Sequence, residues 1–102
     1  MAWFRVAEVG ELAVGQMKRI APVAQPLLLV NAEGRHYCVD ELCSHEDYSL
    51  WFGCIQGRRI KCSLHGSYFD LESGQPQNEP ADCPLATYPV KVEDGAVWVE
   101  VG

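Results

Sequence analysis

Apolar and polar residues alternate along most of this chain in short runs separated by turn formers, a pattern that predicts β-strands and no major helix. The clearest case is C-terminal. Val90 and Val92, then Val97, Val99 and Val101, alternate with other residues on either side of Glu93-Asp94-Gly95, so a hairpin turning at Asp94-Gly95 is expected. A second hairpin is predicted from Leu27 to Val30 and His36 to Val39 around Asn31-Ala32-Glu33-Gly34. Trp3 to Ala7 reads as a first strand, Gln16 to Ile20 as another, and Ala7 to Ala13 as a turn before the Gly15 break. The expected body is all-β, a small antiparallel sandwich or barrel with Trp3 and Trp98 in its core.

From about Asp40 to Pro84 the pattern breaks, and Cys, His, Gly and Pro gather in loops, where chemistry tends to sit. A short hairpin from Cys54-Ile55 across Gln56-Gly57 to Arg59-Ile60-Lys61 separates two such loops and carries them to one edge, facing each other.

Composition narrows the function. At 102 residues and 48% hydrophobic content the chain is expected to form one compact domain. Eight Lys and Arg against fourteen Asp and Glu leave a net charge of −6, which repels phosphate backbones and anionic lipid and disfavours a nucleic-acid role. The same balance suits brief encounters with partners bearing basic patches, or simply solubility. Met1 to Glu8 lacks a basic region followed by a long apolar core, so a cytoplasmic location is expected. The most apolar stretch, Leu27 to Val30, is far shorter than the roughly 20 residues that span a bilayer, so no membrane anchor is expected. Five Cys, an odd count, fit metal binding better than a disulfide framework in that compartment.

The two loops read Cys43-Ser44-His45 and Cys62-Ser63-Leu64-His65, a CxH pair and a CxxH pair with sixteen residues between them. Two thiolates and two imidazoles suit either zinc or an iron–sulfur centre. A two-Cys, two-His zinc site is the simpler alternative, and its common spacing puts two to four residues between paired ligands, wider than CxH. In a Rieske centre two Cys hold one iron and two His the other, and the order Cys, His, Cys, His satisfies that division. Gly66, after the second pair, lets backbone pass close to the cluster.

CxH, sixteen residues, CxxHG is the signature of Rieske proteins. The chain resembles, over essentially its whole length, the Rieske-type ferredoxins of bacterial aromatic-ring-hydroxylating dioxygenases such as the biphenyl, toluene and carbazole systems. Gly57, the run Cys62 to Asp70, Ser73-Gly74-Gln75-Pro76 and the ending Pro84 to Val101 carry the likeness beyond the ligands. The resemblance implies a Rieske fold, an antiparallel β-sandwich base with a small cluster-binding subdomain of two loops, at about residues 40–84 of a single domain spanning 1–102. It implies one [2Fe–2S] cluster held by Cys43, His45, Cys62 and His65, the imidazoles at an exposed tip. It further implies a monomeric electron carrier, not itself an enzyme, that takes single electrons from a flavin-containing reductase to a terminal oxygenase through transient contacts near His45 and His65. A Rieske-like small subunit of an assimilatory nitrite reductase, or a structural zinc module, are the alternatives; a lone oxygenase is disfavoured, since no second set of His and carboxylates resembles a mononuclear iron site.

Two neutral imidazoles make the oxidised cluster formally neutral, so adding an electron is easier than at an all-Cys centre, whose potential lies near about −400 mV. High-potential relatives carry an extra Cys in each loop. Tyr48 and Leu64 stand at those positions here, and Phe69 replaces a tyrosine, leaving Ser67 as the hydroxyl donor. A potential near the bottom of the Rieske span of about −150 to +300 mV is therefore expected. Glu46 and Asp47, beside His45, either oppose added negative charge or are simply solvated. Cys38, Cys54 and Cys83 are expected to be buried and structural, His36 a surface histidine, and Trp51-Phe52 to pack beneath the first loop, with partner docking as the alternative. Pro76, Pro80 and Pro84 stiffen a segment that in the family covers the cluster.

Overall fold

A computed structural model describes residues 2–43, 48–63, 66–77 and 84–101. Among these residues the strands are β1 (Ala2–Glu8), β2 (Met17–Ile20), β3 (Leu27–Ala32), β4 (Arg35–Asp40), β5 (Cys54–Gln56), β6 (Arg59–Lys61), β7 (Tyr68–Asp70), β8 (Thr87–Tyr88), β9 (Val90–Glu93) and β10 (Ala96–Val101), with a 3-10 turn, η1 (Leu50–Phe52). They form three antiparallel sheets in the orders β1-β10-β9, β2-β3-β4-β8 and β5-β6-β7.

The continuous run Leu27-Leu28-Leu29-Val30 marks the middle layer. Alternate strand residues face opposite ways. Leu27 and Leu29, with Cys38 of β4, pack against Val97, Val99 and Val101 of the first sheet. Leu28 and Val30, with Val39, pack against Ile60 and Phe69 of the third. All four residues of the run are fully buried, each apolar side chain stabilising the fold by roughly 1.5–3 kcal/mol. A sheet covered on both faces has no polar face to alternate with, which is why β3 reads as a solid apolar run.

The predicted hairpins form. Asp94 and Gly95 have φ of 53° and 74°, and Glu33 and Gly34 of 55° and 88°, so each pair makes a two-residue turn with both φ values positive, the conformation that matches strand twist. β3 accordingly runs on to Ala32, and the expected four-residue loop tightens to two. Ala7 to Ala13 holds a turn closed by Glu11 N–H to the Glu8 carbonyl at 3.0 Å. η1, β7 and β8, at two or three residues each, are too short to carry a periodic signal and were not expected from the hydrophobic pattern.

Four expectations about burial are corrected. Trp3 is 36% exposed and Trp98 is half-buried, because both lie on the outward face of the first sheet; Lys91 lies over them with Nζ 4.5 Å from the Trp3 ring centre and 6.0 Å from that of Trp98. Cys54 is exposed, opposite Lys61 on the outer face of the third sheet. His36 is half-buried in a cleft with Tyr37, Leu71, Thr87 and Tyr88. Its Nε2 has no hydrogen-bond partner among the described residues, and desolvation lowers its pKa. Cys38 is buried as expected; burial, then the Asp40 charge, pushes its thiol up to about 12.

Candidate metal centre

Each candidate loop is closed at its neck by the amide of its own cysteine. At the end of β4, Leu42 and Ser49 pair as an isolated bridge, Leu50 N–H donates to the Glu41 carbonyl at 2.7 Å, and Cys43 N–H donates to the Tyr48 carbonyl at 2.9 Å. After β6, Cys62 N–H donates to the Ser67 carbonyl at 2.7 Å and Gly66 N–H returns to the Cys62 carbonyl at 2.9 Å. Gly66 has φ +73°, a left-handed conformation that a side chain would strain. Both necks thus join a cysteine to the residue five positions on.

The structure brings the two cysteines together. Cys43 is 3% exposed and Cys62 2%, and both belong to one buried cluster with Leu50, Ile60, Phe69 and Leu85. His45 and His65, the other two predicted ligands, lie outside the described residues, as do Glu46, Asp47, Leu64, Pro80 and Cys83. Among the described residues no three metal-binding side chains therefore cluster. Two cysteine side chains in one apolar, water-excluded cluster form a soft donor pair, so this placement fits a metal centre; Cys38 lies in the other core and does not share it. Ser67, the expected hydroxyl, is buried at the second neck, and Phe69 is wholly buried.

Neighbouring elements fix these necks. Ser49 caps η1, its Oγ accepting from Trp51 N–H at 3.2 Å while donating to Glu41 Oε2 at 2.7 Å. With three residues per turn, η1 turns one residue inward: Leu50 is fully buried, while Trp51 is 37% and Phe52 61% exposed. Packing beneath the loop therefore falls to Leu50, and the expectation that Trp51 and Phe52 do it is corrected. The Arg19 guanidinium lies 4.9 Å from the Trp51 ring centre and 5.7 Å from that of Phe52, which is 5.9 Å from Tyr48.

Sequence reasoning missed the role of Gly53. A Cβ there would stand 1.7 Å from the Lys61 carbonyl oxygen, so glycine alone lets the exit of η1 touch the residue before Cys62. Its signal was its place after the aromatic pair, ahead of a strand.

A third segment completes the surroundings. Phe69 and Pro76 pair as a bridge, Gln77 N–H donates to the Tyr68 carbonyl at 2.7 Å and Asp70 N–H to the Gln75 carbonyl at 3.0 Å, making a hairpin of residues 68–77. Asp70 Oδ1 accepts from the amides of Glu72 and Ser73, and Arg58 pairs with Asp70 at 3.6 Å and Glu72 at 3.4 Å. Gly74 donates to Asp70 and accepts from Leu85, both at 2.7 Å. Of the three prolines, Pro76 is half-buried in this hairpin and Pro84 is exposed.

Residues 2–89 match the family described as the Rieske [2Fe-2S] domain. The chain is 33% identical over 101 residues to the ferredoxin component of biphenyl 2,3-dioxygenase from Rhodococcus jostii (strain RHA1), covering 99% of this chain and 94% of that protein. Among solved structures it is similar to the Sphingomonas yanoikuyae B1 ferredoxin, with a TM-score of 0.90 and 29% identity over 99% of this chain and 100% of that one. It is equally similar, with a TM-score of 0.90 and 31% identity over 95% and 91% of the two chains, to one chain in a complex of reduced oxygenase and oxidised ferredoxin of carbazole 1,9a-dioxygenase.

Proposed function

Since the chain belongs to the Rieske [2Fe–2S] domain family, we propose that it binds one such cluster through Cys43, His45, Cys62 and His65 and carries single electrons to the terminal oxygenase of an aromatic-ring-hydroxylating dioxygenase. The observation that carries this reading is the pair of buried thiols, Cys43 and Cys62, at the necks of two like-closed loops, each followed by a histidine in sequence. When bound, the cluster supplies one-electron chemistry, passing from formally neutral to singly negative.

The chain's own residues hold and shield. Cys43 and Cys62 supply the thiolates from the dry side, where Leu50, Ile60, Phe69 and Leu85 exclude water. His45 and His65 supply the imidazoles, and Gly66 allows close backbone approach. The electron donor is a flavin-containing reductase, and the protein works as a monomer in the cytoplasm, where exposed thiols such as Cys54 stay reduced. Residues 1–102 act as one domain, with about 40–84 as the cluster-binding part. Among the described residues no helix is long and apolar enough to cross a membrane.

Mixing the pre-reduced protein with oxidised oxygenase, substrate and oxygen tests the role: electron transfer with product formation is expected, and a reduced protein that never reoxidises against the oxygenase contradicts it. Trp51, Phe52 and Leu42, exposed around the first neck, form an apolar contact for that oxygenase. Aromatic anchors often carry more than 1 kcal/mol of binding, so a Trp51→Ala/Phe52→Ala protein is expected to raise the Kd for the oxygenase by about tenfold, leaving its visible spectrum unchanged. Equal affinity by calorimetry would remove the aromatic pair from the interface.

A further inference from the structure

Resting on the reading of the two loops as a [2Fe–2S] site, we infer that Lys61 holds a positive charge against the second ligand loop and thereby raises the reduction potential of the centre. Lys61 is the last residue of β6 and immediately precedes Cys62. Its half-buried side chain reaches Gly66 at the neck of that loop, with Cε 3.7 Å from where a Cβ on that glycine would sit. The ammonium is held there by Tyr68, with Nζ 5.7 Å from its ring centre. Tyr68 is itself fixed, its hydroxyl donating to Gln56 Oε1 at 3.1 Å and its ring carrying the Arg59 guanidinium at 4.5 Å.

Among the described residues no carboxylate cancels this charge. Lys18, Arg19, Arg58 and Lys91 each lie within 4 Å of a carboxylate, whereas Lys61 has no such partner there. On the outer face of the third sheet it is flanked by Cys54 and Tyr68. The carboxylate on that face, Asp70, is engaged by Arg58. In a chain of net charge −6, Lys61 is thus a local reversal of sign beside a centre that gains one negative charge on reduction. A cation favours the more negative state of its neighbour. One electron passes from the reductant to the centre, and no bond forms or breaks at Lys61.

The test is the midpoint potential of the holoprotein, measured by spectroelectrochemistry at low ionic strength, for Lys61→Arg, Lys61→Met and Lys61→Glu. The Arg protein is expected to match the natural one. The Met protein, poised at the natural midpoint, should show its reduced-to-oxidised ratio fall about threefold, about 28 mV lower at 59 mV per decade for one electron. The Glu protein should fall further, and both shifts should shrink with added salt. Lys61→Gln gives the same readout if the Met protein does not assemble. Equal midpoints for all variants, or an Arg protein shifted as far as the Met protein, would overturn the inference and leave the cluster reading intact. A natural protein with no reversible couple would instead sink the cluster reading itself.

Discussion

Cys62→Ser protein is expected to emerge folded but without visible absorption, retaining iron at least ~100-fold more weakly than the natural protein, since even outer-shell changes cost 10–100-fold. Serine is a poor match for the soft thiolate that iron–sulfur centres select, and the remaining donors cannot complete one iron's coordination. Cys62 is 2% exposed among apolar side chains, so its hydroxyl replacement also costs about 1–3 kcal/mol if it finds no partner. The control is Cys38→Ser, buried to 1% in the other core. It carries a comparable stability cost and should keep full iron and sulfide. Metal and sulfide analysis after gel filtration separates the two: a Cys62→Ser protein as rich in iron as the Cys38→Ser protein would remove Cys62 from the ligand set.

Gly74→Ala is expected to lower stability by about 2–5 kcal/mol. Two costs combine there. With φ at +78°, an alanine is strained by about 1–2 kcal/mol, and its Cβ would meet the Leu85 carbonyl oxygen at 2.0 Å, an overpacking of about 1–3 kcal/mol that only a backbone shift relieves. That shift would break the Leu85 N–H bond to Gly74 and disturb Leu85, which lines the same cluster as Cys43 and Cys62. Gly95→Ala isolates the strain, because φ is +74° and nothing lies within 4 Å of its added methyl. Urea unfolding of both proteins should give a clearly larger loss at Gly74, and equal losses would show that the Leu85 contact yields at no cost.

Periodicity carried the strands that alternate or run long enough to show a period. β10 and β3 were legible because Val97, Val99 and Val101 repeat every second residue and Leu27 to Val30 are solidly apolar. It could not say that β3 is sandwiched between two sheets, since burial on both faces removes the alternation that would have oriented it. Tyr68–Asp70 and Thr87–Tyr88 are defined by their partners, not by their own sequence, and so stayed invisible. At the site, motif spacing singled out Cys43 and Cys62, which share one buried cluster, while the close approach at Gly53 and the contact of Lys61 with the Tyr68 ring follow no spacing. Trp51 and Phe52 misled because aromatic residues usually pack; the 3-10 turn allots the inward direction to Leu50 alone.

Mixed ligation by two thiolates and two imidazoles is tested most directly by pulsed EPR of the dithionite-reduced protein with its three histidines labelled with nitrogen-15. Two strongly coupled histidine nitrogens are predicted, both lost when His45 and His65 are replaced and unaffected by replacement of His36. A reduced centre with no histidine coupling, or a colourless protein holding zinc in place of iron and sulfide, would contradict it.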